Sequence, residues 1–362
     1  MNVQVPRKQL ADVLGNIERI IPSRSSNPGL SLINMQMGEK GITFSGSNMD
    51  IDIQATVQAD VSSGGHAALP AHVFGQVVRA LPGELVELAF NDKELEISSG
   101  SYATKLQLAD AATVPEVVFP EGYAGRFDGS QLADALNHVR YAAAVAEYQA
   151  IFRGVKVEFN DKKTRAVATD GFRLAYYHME DASGLDGDIV IPARSVDELS
   201  RLLGSGEAKL ELADNQLSVQ SGPFKLNVKL MEGTFPDYER VIPSQFPVSI
   251  LLDASRLLET VARVAVMADK TANNRVDLFI KDGSLQITAE GAYGRSQEAL
   301  EVSQEGTESE IALAYNADYL ASALRPVNGD VRFSFSGPTS PSVLASLKDT
   351  SYLAMVVPLR TG

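Results

Sequence analysis

The chain has 362 residues, 44% hydrophobic and 22% charged, enough apolar material for two or three globular domains. It has no cysteine, which excludes disulfides, thiolate nucleophiles and thiolate-held metals. A formal net charge of −14 argues against nucleic acid adhering over the whole surface, because an acidic protein repels a polyanion.

The opening MNVQVPRKQLADVL has no apolar core of signal-peptide length, so a cytoplasmic location is expected. No apolar run approaches the roughly 20 residues that span a bilayer. In RKQLADVLGNIERI (7–20), Leu10, Val13, Leu14 and Ile17 fall on one helical face. LPAHVFGQVVRALPG (69–83) predicts a second helix, begun at Pro70, where a missing N–H is tolerated, and stopped by Pro82 and Gly83. ELVELAFNDKELEIS (84–98) reads as a hairpin turning at Asn91-Asp92. FPEGYAGRF (119–127) has the Pro and Gly of a linker.

GSQLADALNHVRYA (129–142) is again helical. Val155, Val157 and Phe159 alternate as a half-buried strand before a turn at Asn160-Asp161. IPARSVDELSRLLGSG (191–206) predicts a helix starting near Pro192, and EAKLELADNQLSVQ (207–220) another hairpin. A second linker, IPSQFPVSI (242–250), precedes the helix ASRLLETVARVAVM (254–267). Val276, Leu278 and Ile280, then Leu285 and Ile287, alternate around Asp282-Gly283. AYNADYLASALRPVNG (314–329) predicts a helix capped by Asn316, followed by strand patterns in DVRFSFSGPTSPSVLASL (330–347).

These elements repeat. Leu10, Leu132 and Leu257 are 122 and 125 residues apart, and Pro70, Pro192 and Asn316 are 122 and 124 apart. Two motif sets sharing one period imply three copies of a helix–strands–helix–strands unit, near 1–122, 123–247 and 248–362. Charge separates by element. The six helix windows (7–24, 70–81, 130–141, 192–203, 255–275 and 315–325) together carry +5, leaving −19 for the rest. If the helices share a face, that face is mildly basic.

Signs of catalysis are weak. His66, His72, His138 and His178 lack metal-ligand spacing, and no H-E-x-x-H occurs. GSGEAK (204–209) lacks the spacing and the Ser/Thr of a phosphate loop, and no G-x-S-x-G elbow appears. Asp186 and Asp188 fit a solvated acidic loop. Two competing classes stay open on residues alone: an enzyme with a pseudo-symmetric site between repeats, and a peptide-binding hub without a DNA role.

ATDGFRLAYY (168–177), GTFPDYERVIP (233–243) and MVVPLR (355–360), set on a threefold repeat of this length, resemble the bacterial DNA polymerase III beta subunit family, the replication sliding clamps. The likeness runs the whole chain. It implies an α+β fold of three clamp-type domains, each with two helices packed on antiparallel sheets, and a head-to-tail homodimeric ring. It further implies a processivity factor with no reaction, metal or cofactor of its own, nucleoid-associated, that encircles duplex DNA without reading its sequence. The replicative polymerase, clamp loader and repair proteins are the implied partners, attached through short peptides containing Gln and apolar residues.

By position in the family, Arg24, His72, Arg79, Gln149, Arg194 and Arg201 are expected to face DNA. The peptide pocket is expected to comprise Phe152, Thr169, Gly171, Phe172, Arg173, Leu174, Pro236, Arg240, Val241, Met355, Val357, Pro358, Leu359 and Arg360. Phe172 fills a slot often held by His, which makes the pocket more apolar. Lys105, Leu106 and Leu108 are expected on one dimer edge, and Val266, Met267, Glu298 and Glu301 on the other, with acid meeting base across the rim.

Overall fold

The computed structural model describes all residues except 1, 62–63, 92, 146–149, 161–162, 180–183, 214 and 361–362. The first repeat comprises β1 (Asn2–Pro6), α1 (Arg7–Ile20), β2 (Leu32–Gly38), β3 (Gly41–Ser47), β4 (Ile51–Val57), β5 (Asp60–Val61) and β6 (Gly65–Pro70). It closes with α2 (Ala71–Ala80), β7 (Leu85–Phe90), β8 (Glu94–Ser99) and β9 (Tyr102–Gln107). The second runs β10 (Gly125–Asp128), α3 (Gly129–Arg140), β11 (Gly154–Phe159), β12 (Thr164–Thr169), β13 (Arg173–Met179) and β14 (Gly187–Pro192). It continues with α4 (Ala193–Leu202), β15 (Glu207–Ala213), β16 (Gln216–Ser221) and β17 (Phe224–Lys229). The third has β18 (Val248–Asp253), α5 (Ala254–Val264), β19 (Arg275–Lys281), β20 (Ser284–Gly291), β21 (Gly294–Glu301), β22 (Ser303–Gly306) and β23 (Glu310–Asn316). It ends with α6 (Ala317–Leu324), β24 (Asp330–Phe335), β25 (Ser342–Ser346) and β26 (Tyr352–Val356).

The helix starts use two chemistries. Pro6 and Pro70 occupy the cap position before α1 and α2, one residue earlier than a first-helical-residue proline, with no side-chain cap bond. Asp128, Asp253 and Asn316 cap α3, α5 and α6 through side-chain oxygens that accept backbone N–H groups. Asp282 and Gly283 both take positive φ, as a tight two-residue hairpin turn requires.

The chain packs as two compact units that cut across the threefold repeat. One comprises Met1–Ala133, Ser183–Leu185 and Arg194–Leu230; the other comprises Asp134–Ala182, Asp186–Ala193 and Met231–Gly362. Strand pairing explains the cut. In the first unit β17 hydrogen-bonds to β4, so an eight-stranded sheet runs β10-β15-β16-β17-β4-β3-β2-β6 beside a five-stranded sheet β5-β1-β7-β8-β9. α1 packs on α2, β3 and β4, burying Leu10, Val13, Leu14, Ile17 and Ile20 in a core with Phe44, Ile53, Phe74, Val86 and Leu88.

In the second unit β13 pairs with β26, giving a nine-stranded sheet β14-β11-β12-β13-β26-β25-β24-β18-β22. A four-stranded sheet, β21-β20-β19-β23, carries α5. Val276, Leu278, Ile280, Leu285 and Ile287 are buried in it, on the face their alternation predicts. All strand pairings in both units are antiparallel. No described helix is long and apolar enough to cross a membrane.

Candidate peptide pocket, basic helix face and free sheet edges

The turn between β12 and β13 is built by its own side chains. The Thr169 hydroxyl donates to the Arg173 carbonyl at 2.7 Å and accepts from Gly171 N at 3.1 Å. Asp170 Oδ1 accepts from the backbone N–H groups of Phe172 and Arg173 at 2.9 and 3.0 Å. Gly171 sits at φ 89°, where a side chain would be strained. The turn therefore presents Phe172 to solvent, 53% exposed. Arg173 turns inward: its Nε donates to Asp170 Oδ2 at 2.9 Å, and its guanidinium lies 4.5 Å from the Tyr319 ring and 5.6 Å from that of Tyr141.

Leu174 is buried with Val167, Val190, Phe235, Tyr238 and Met355, forming an apolar floor. The tail joins this floor. Leu174 faces Met355 in the ladder, Val357 N donates to the Phe172 carbonyl at 2.8 Å, and Leu359 N donates to the Ala314 carbonyl at 2.7 Å. Pro358 is buried, Val357 and Leu359 are half-buried, and Arg360 is exposed. Phe152 meets Phe235 edge-on at 6.1 Å. Pro236, Arg240 and Val241 lie exposed beside the buried anchors Phe235 and Tyr238. The sequence-derived pocket residues thus all fall in one unit, with Leu174 and Met355 in the floor itself.

Residues outside the sequence-derived set hold that pocket in shape. The Tyr238 hydroxyl donates to Glu158 Oε2 at 2.8 Å, Lys156 pairs with Glu158 and Asp188, and Arg165 pairs with Glu239 at 2.6 Å. Burial opposes the Lys156 charge, yet hydrogen bonds to the two carboxylates hold its pKa above the usual lysine value. Burial pushes the Tyr141 and Tyr352 phenols up, and their hydroxyls bond each other at 2.8 Å. Phe235, Tyr238 and Asp170 lay inside the quoted motifs. Tyr319 and Tyr141 carried no signal in the sequence beyond a place in or beside an amphipathic helix.

The basic positions split by partner. Arg24 and Arg194 are exposed, with no ion-pair partner among the described residues. Arg79 is neutralised by Glu18, with contacts of 3.0 Å from two guanidinium nitrogens. His72 Nε2 bonds the Ile21 carbonyl at 2.8 Å just past α1. Arg201 bonds Asn16 Oδ1 at 2.7 Å and pairs with Glu198. Burial, together with the neighbouring Arg19, holds the Arg201 guanidinium below its ordinary pKa. Gln149 lies outside the described residues.

The proposed dimer residues sit at two sheet edges. Lys105 and Leu106 lie on β9, the edge of the five-stranded sheet, and Leu108 follows it; both leucines pack against the core. Glu298 and Glu301 lie on β21, the edge of the four-stranded sheet. Val266 is 76% exposed on a turn against β20 and β21, beside Met267. Two of these charged residues have contacts within the chain. Arg263 and Thr260 bond Glu298, with Arg263 lowering its pKa, and Lys105 lies 3.7 Å from Glu94. Lys105 and Glu298 thus each have a partner in their own chain.

Among the described residues no group of three or more His, Cys, Asp or Glu could hold a metal ion. Family profiles for the DNA polymerase III beta subunit match residues 1–118 (N-terminal domain), 126–237 (central domain) and 239–360 (C-terminal domain). The beta sliding clamp of Caulobacter vibrioides is 30% identical, covering 99% of this chain and all of the relative. The solved beta sliding clamp of Caulobacter crescentus superposes with a TM-score of 0.92 at 27% identity over the full length of both chains. A Pseudomonas aeruginosa sliding clamp bound to griselimycin shares the fold, with a TM-score of 0.93 at 24% identity over both full lengths.

Proposed function

The chain belongs to the DNA polymerase III beta subunit family, and from that membership we propose that two copies close head to tail into a ring around duplex DNA. The ring tethers the replicative polymerase, the clamp loader and repair proteins at the Leu174 pocket. Each chain carries three clamp domains, which we place at 1–122, 123–247 and 248–362. It acts in the cytoplasm on the nucleoid and performs no reaction itself.

The carrying observation is a pairing that repeats twice and then lacks its third instance. The last strand of repeat two, β17, pairs with β4 of repeat one, and the last strand of repeat three, β26, pairs with β13 of repeat two. The same rule leaves β9 and β21 without a mate, each at a sheet edge. A second copy supplies both mates, which also protects two exposed edges. Aligned on their hairpins, Tyr102 corresponds to Phe224 and Tyr352, and Leu300 to Val57 and Met179. Phe224 faces Ala55, and Tyr352 faces Tyr177. Both junctions therefore give one inter-chain register: Tyr102 opposite Glu298, Ala103 opposite Gln297, Thr104 opposite Ser296 and Leu106 opposite Gly294. Exposed Val266 and Met267 supply apolar contact at this junction.

Arg24 and Arg194 contribute phosphate contacts, which are sequence-neutral and let a ring slide. Since enclosure prevents escape, few cations suffice. The pocket anchors contribute about 1.5–3 kcal/mol per buried apolar side chain, so few anchors mean micromolar, exchangeable binding. The test uses a clamp loader and ATP to place the chain on nicked circular DNA. A ring stays bound at high salt and leaves once the DNA is linearised. Equal loss from both forms with salt would refute enclosure, and failure to load at all would leave a peptide-binding hub as the function.

A further inference from the structure

The second helix of each repeat carries an arginine at its C-terminal end. Arg79, Arg201 and Arg325 each stand nine residues after the residue that precedes the helix, which is Pro70, Pro192 or Asn316. Their places in the repeat are equivalent, but their surroundings differ. Arg325 is exposed, with no ion-pair partner among the described residues. Arg79 and Arg201, both in the first unit, are held by carboxylates.

Glu18 reaches Arg79 from α1. Its two carboxylate oxygens meet two guanidinium nitrogens at 3.0 Å each, a planar fork. The Glu18 side chain is 11% exposed, and His72 Nδ1 lies 4.0 Å from the same carboxylate. α2 makes room for this acid. Gly75 lies inside that helix, where glycine costs stability relative to alanine. A methyl group at position 75 would overlap the Glu18 carboxylate, so the glycine is what lets the acid cross to Arg79. Arg201 is held from two sides. Its Nη1 donates to Asn16 Oδ1 of α1 at 2.7 Å, and it pairs with Glu198, one turn earlier on α4. Glu198 also lies 3.9 Å from Arg19 Nε, so one carboxylate faces two guanidinium groups.

We propose that Glu18 and Glu198 restrain DNA contact by withholding Arg79 and Arg201 from phosphate, and that Arg325 is the phosphate-contacting member of the three. This rests on the reading above, in which duplex DNA runs past the helices. A phosphate could take Arg79 or Arg201 only by leaving a partly buried carboxylate unpaired and facing a polyanion. Arg325 has no such pair to break. A sliding ring gains from the arrangement. Each free cation adds a phosphate pair that must break at every step, whereas a withheld one ties α1 to α2 or α4 without adding friction. The two acids are positioning residues and touch no DNA themselves.

The test measures binding of the full chain to short duplexes against salt, by filter retention, beside loading of the parent chain on nicked circular DNA. Glu18→Gln keeps the shape and removes the charge. It should steepen the salt slope by about 0.9, one added phosphate contact. Asp12→Asn makes the same charge change on the same helix, at a residue with no ion-pair partner among the described residues, and should leave the slope as it is. Arg325→Ala should flatten the parental slope by about 0.9. Should Glu18→Gln disturb folding, Gly75→Ala replaces it under the same criteria, since its methyl displaces the Glu18 carboxylate at constant net charge. An unchanged slope in Glu18→Gln, an equal steepening in Asp12→Asn, or an unchanged slope in Arg325→Ala would overturn the proposal while a parent that still loads leaves the ring reading standing. A parent that fails to load would overturn both.

Discussion

Arg173→Ala separates a positioning role from a contact role. The wild-type Arg173 side chain is 13% exposed, its Nε pairs at 2.9 Å with an Asp170 side chain that is 11% exposed, and its guanidinium lies 4.5 Å from the Tyr319 ring. Removing one member of a buried pair costs about 3–5 kcal/mol. Asp170 keeps two backbone N–H bonds, so the low end, ~3 kcal/mol, applies. Loss of the cation over the aromatic ring adds about 1 kcal/mol. The thermal transition should fall by an amount on the order of 10 °C. Because the same Asp170 shapes the turn presenting Phe172, a Gln-containing apolar peptide should bind at least about tenfold more weakly, or 1.4 kcal/mol. Arg173→Lys, which keeps the charge without the planar fork, should recover part of both losses. Calorimetric unfolding and titration read the two quantities. An Arg173→Ala chain with parental melting and parental peptide affinity would refute the positioning argument.

Other substitutions separate the sites. Pro358→Ala should weaken peptide binding about tenfold in a fluorescence titration and leave sedimentation as a dimer unchanged. Leu174→Ala should do the same with an added stability loss of about 3 kcal/mol, since Leu174 is fully buried. Arg24→Ala or Arg194→Ala should each lower the salt slope of binding to short duplexes by about 0.9, measured by filter retention. Arg79→Ala should change it less, because Glu18 already neutralises that charge. Met49→Gly should stabilise the chain by about 1 kcal/mol in urea denaturation by relieving a left-handed side chain. Ser130's hydroxyl and nearby amides hold the Asp128 carboxyl below its ordinary value of 3.8. Its contribution is therefore complete above that value and lost as pH falls through the lowered one. Asp128→Asn should flatten the acid limb of the stability profile below that value.

The repeat was legible because helix starts and stops are local chemistry: Pro70, Pro192 and Asn316 mark the second helix of each copy, whatever the tertiary context. The pocket was legible as a motif but not as a mechanism. Nothing in TDGFRL says that Arg173 turns inward toward Tyr319, a residue far along the chain. Charge was the least legible property. Formal sums count Arg79 and Lys105 as free cations, whereas Glu18 and Glu94 lie within 3.0 and 3.7 Å of them. The two-unit packing was hidden because it arises from β17·β4 and β13·β26, pairings between strands far apart in sequence.

Ring closure through β9 and β21 is tested most directly by covalent capture. The chain has no native cysteine, so Ala103→Cys with Gln297→Cys introduces the sole thiols. Loaded on nicked circular DNA, oxidised and treated with detergent, this variant should remain on the circle as a doubly linked dimer and be released when the DNA is cut. The two-residue mismatch, Ala103→Cys with Ala299→Cys, should link poorly. Absence of linked dimer, or release from intact circles and cut DNA alike, would contradict a closed ring joined at these edges.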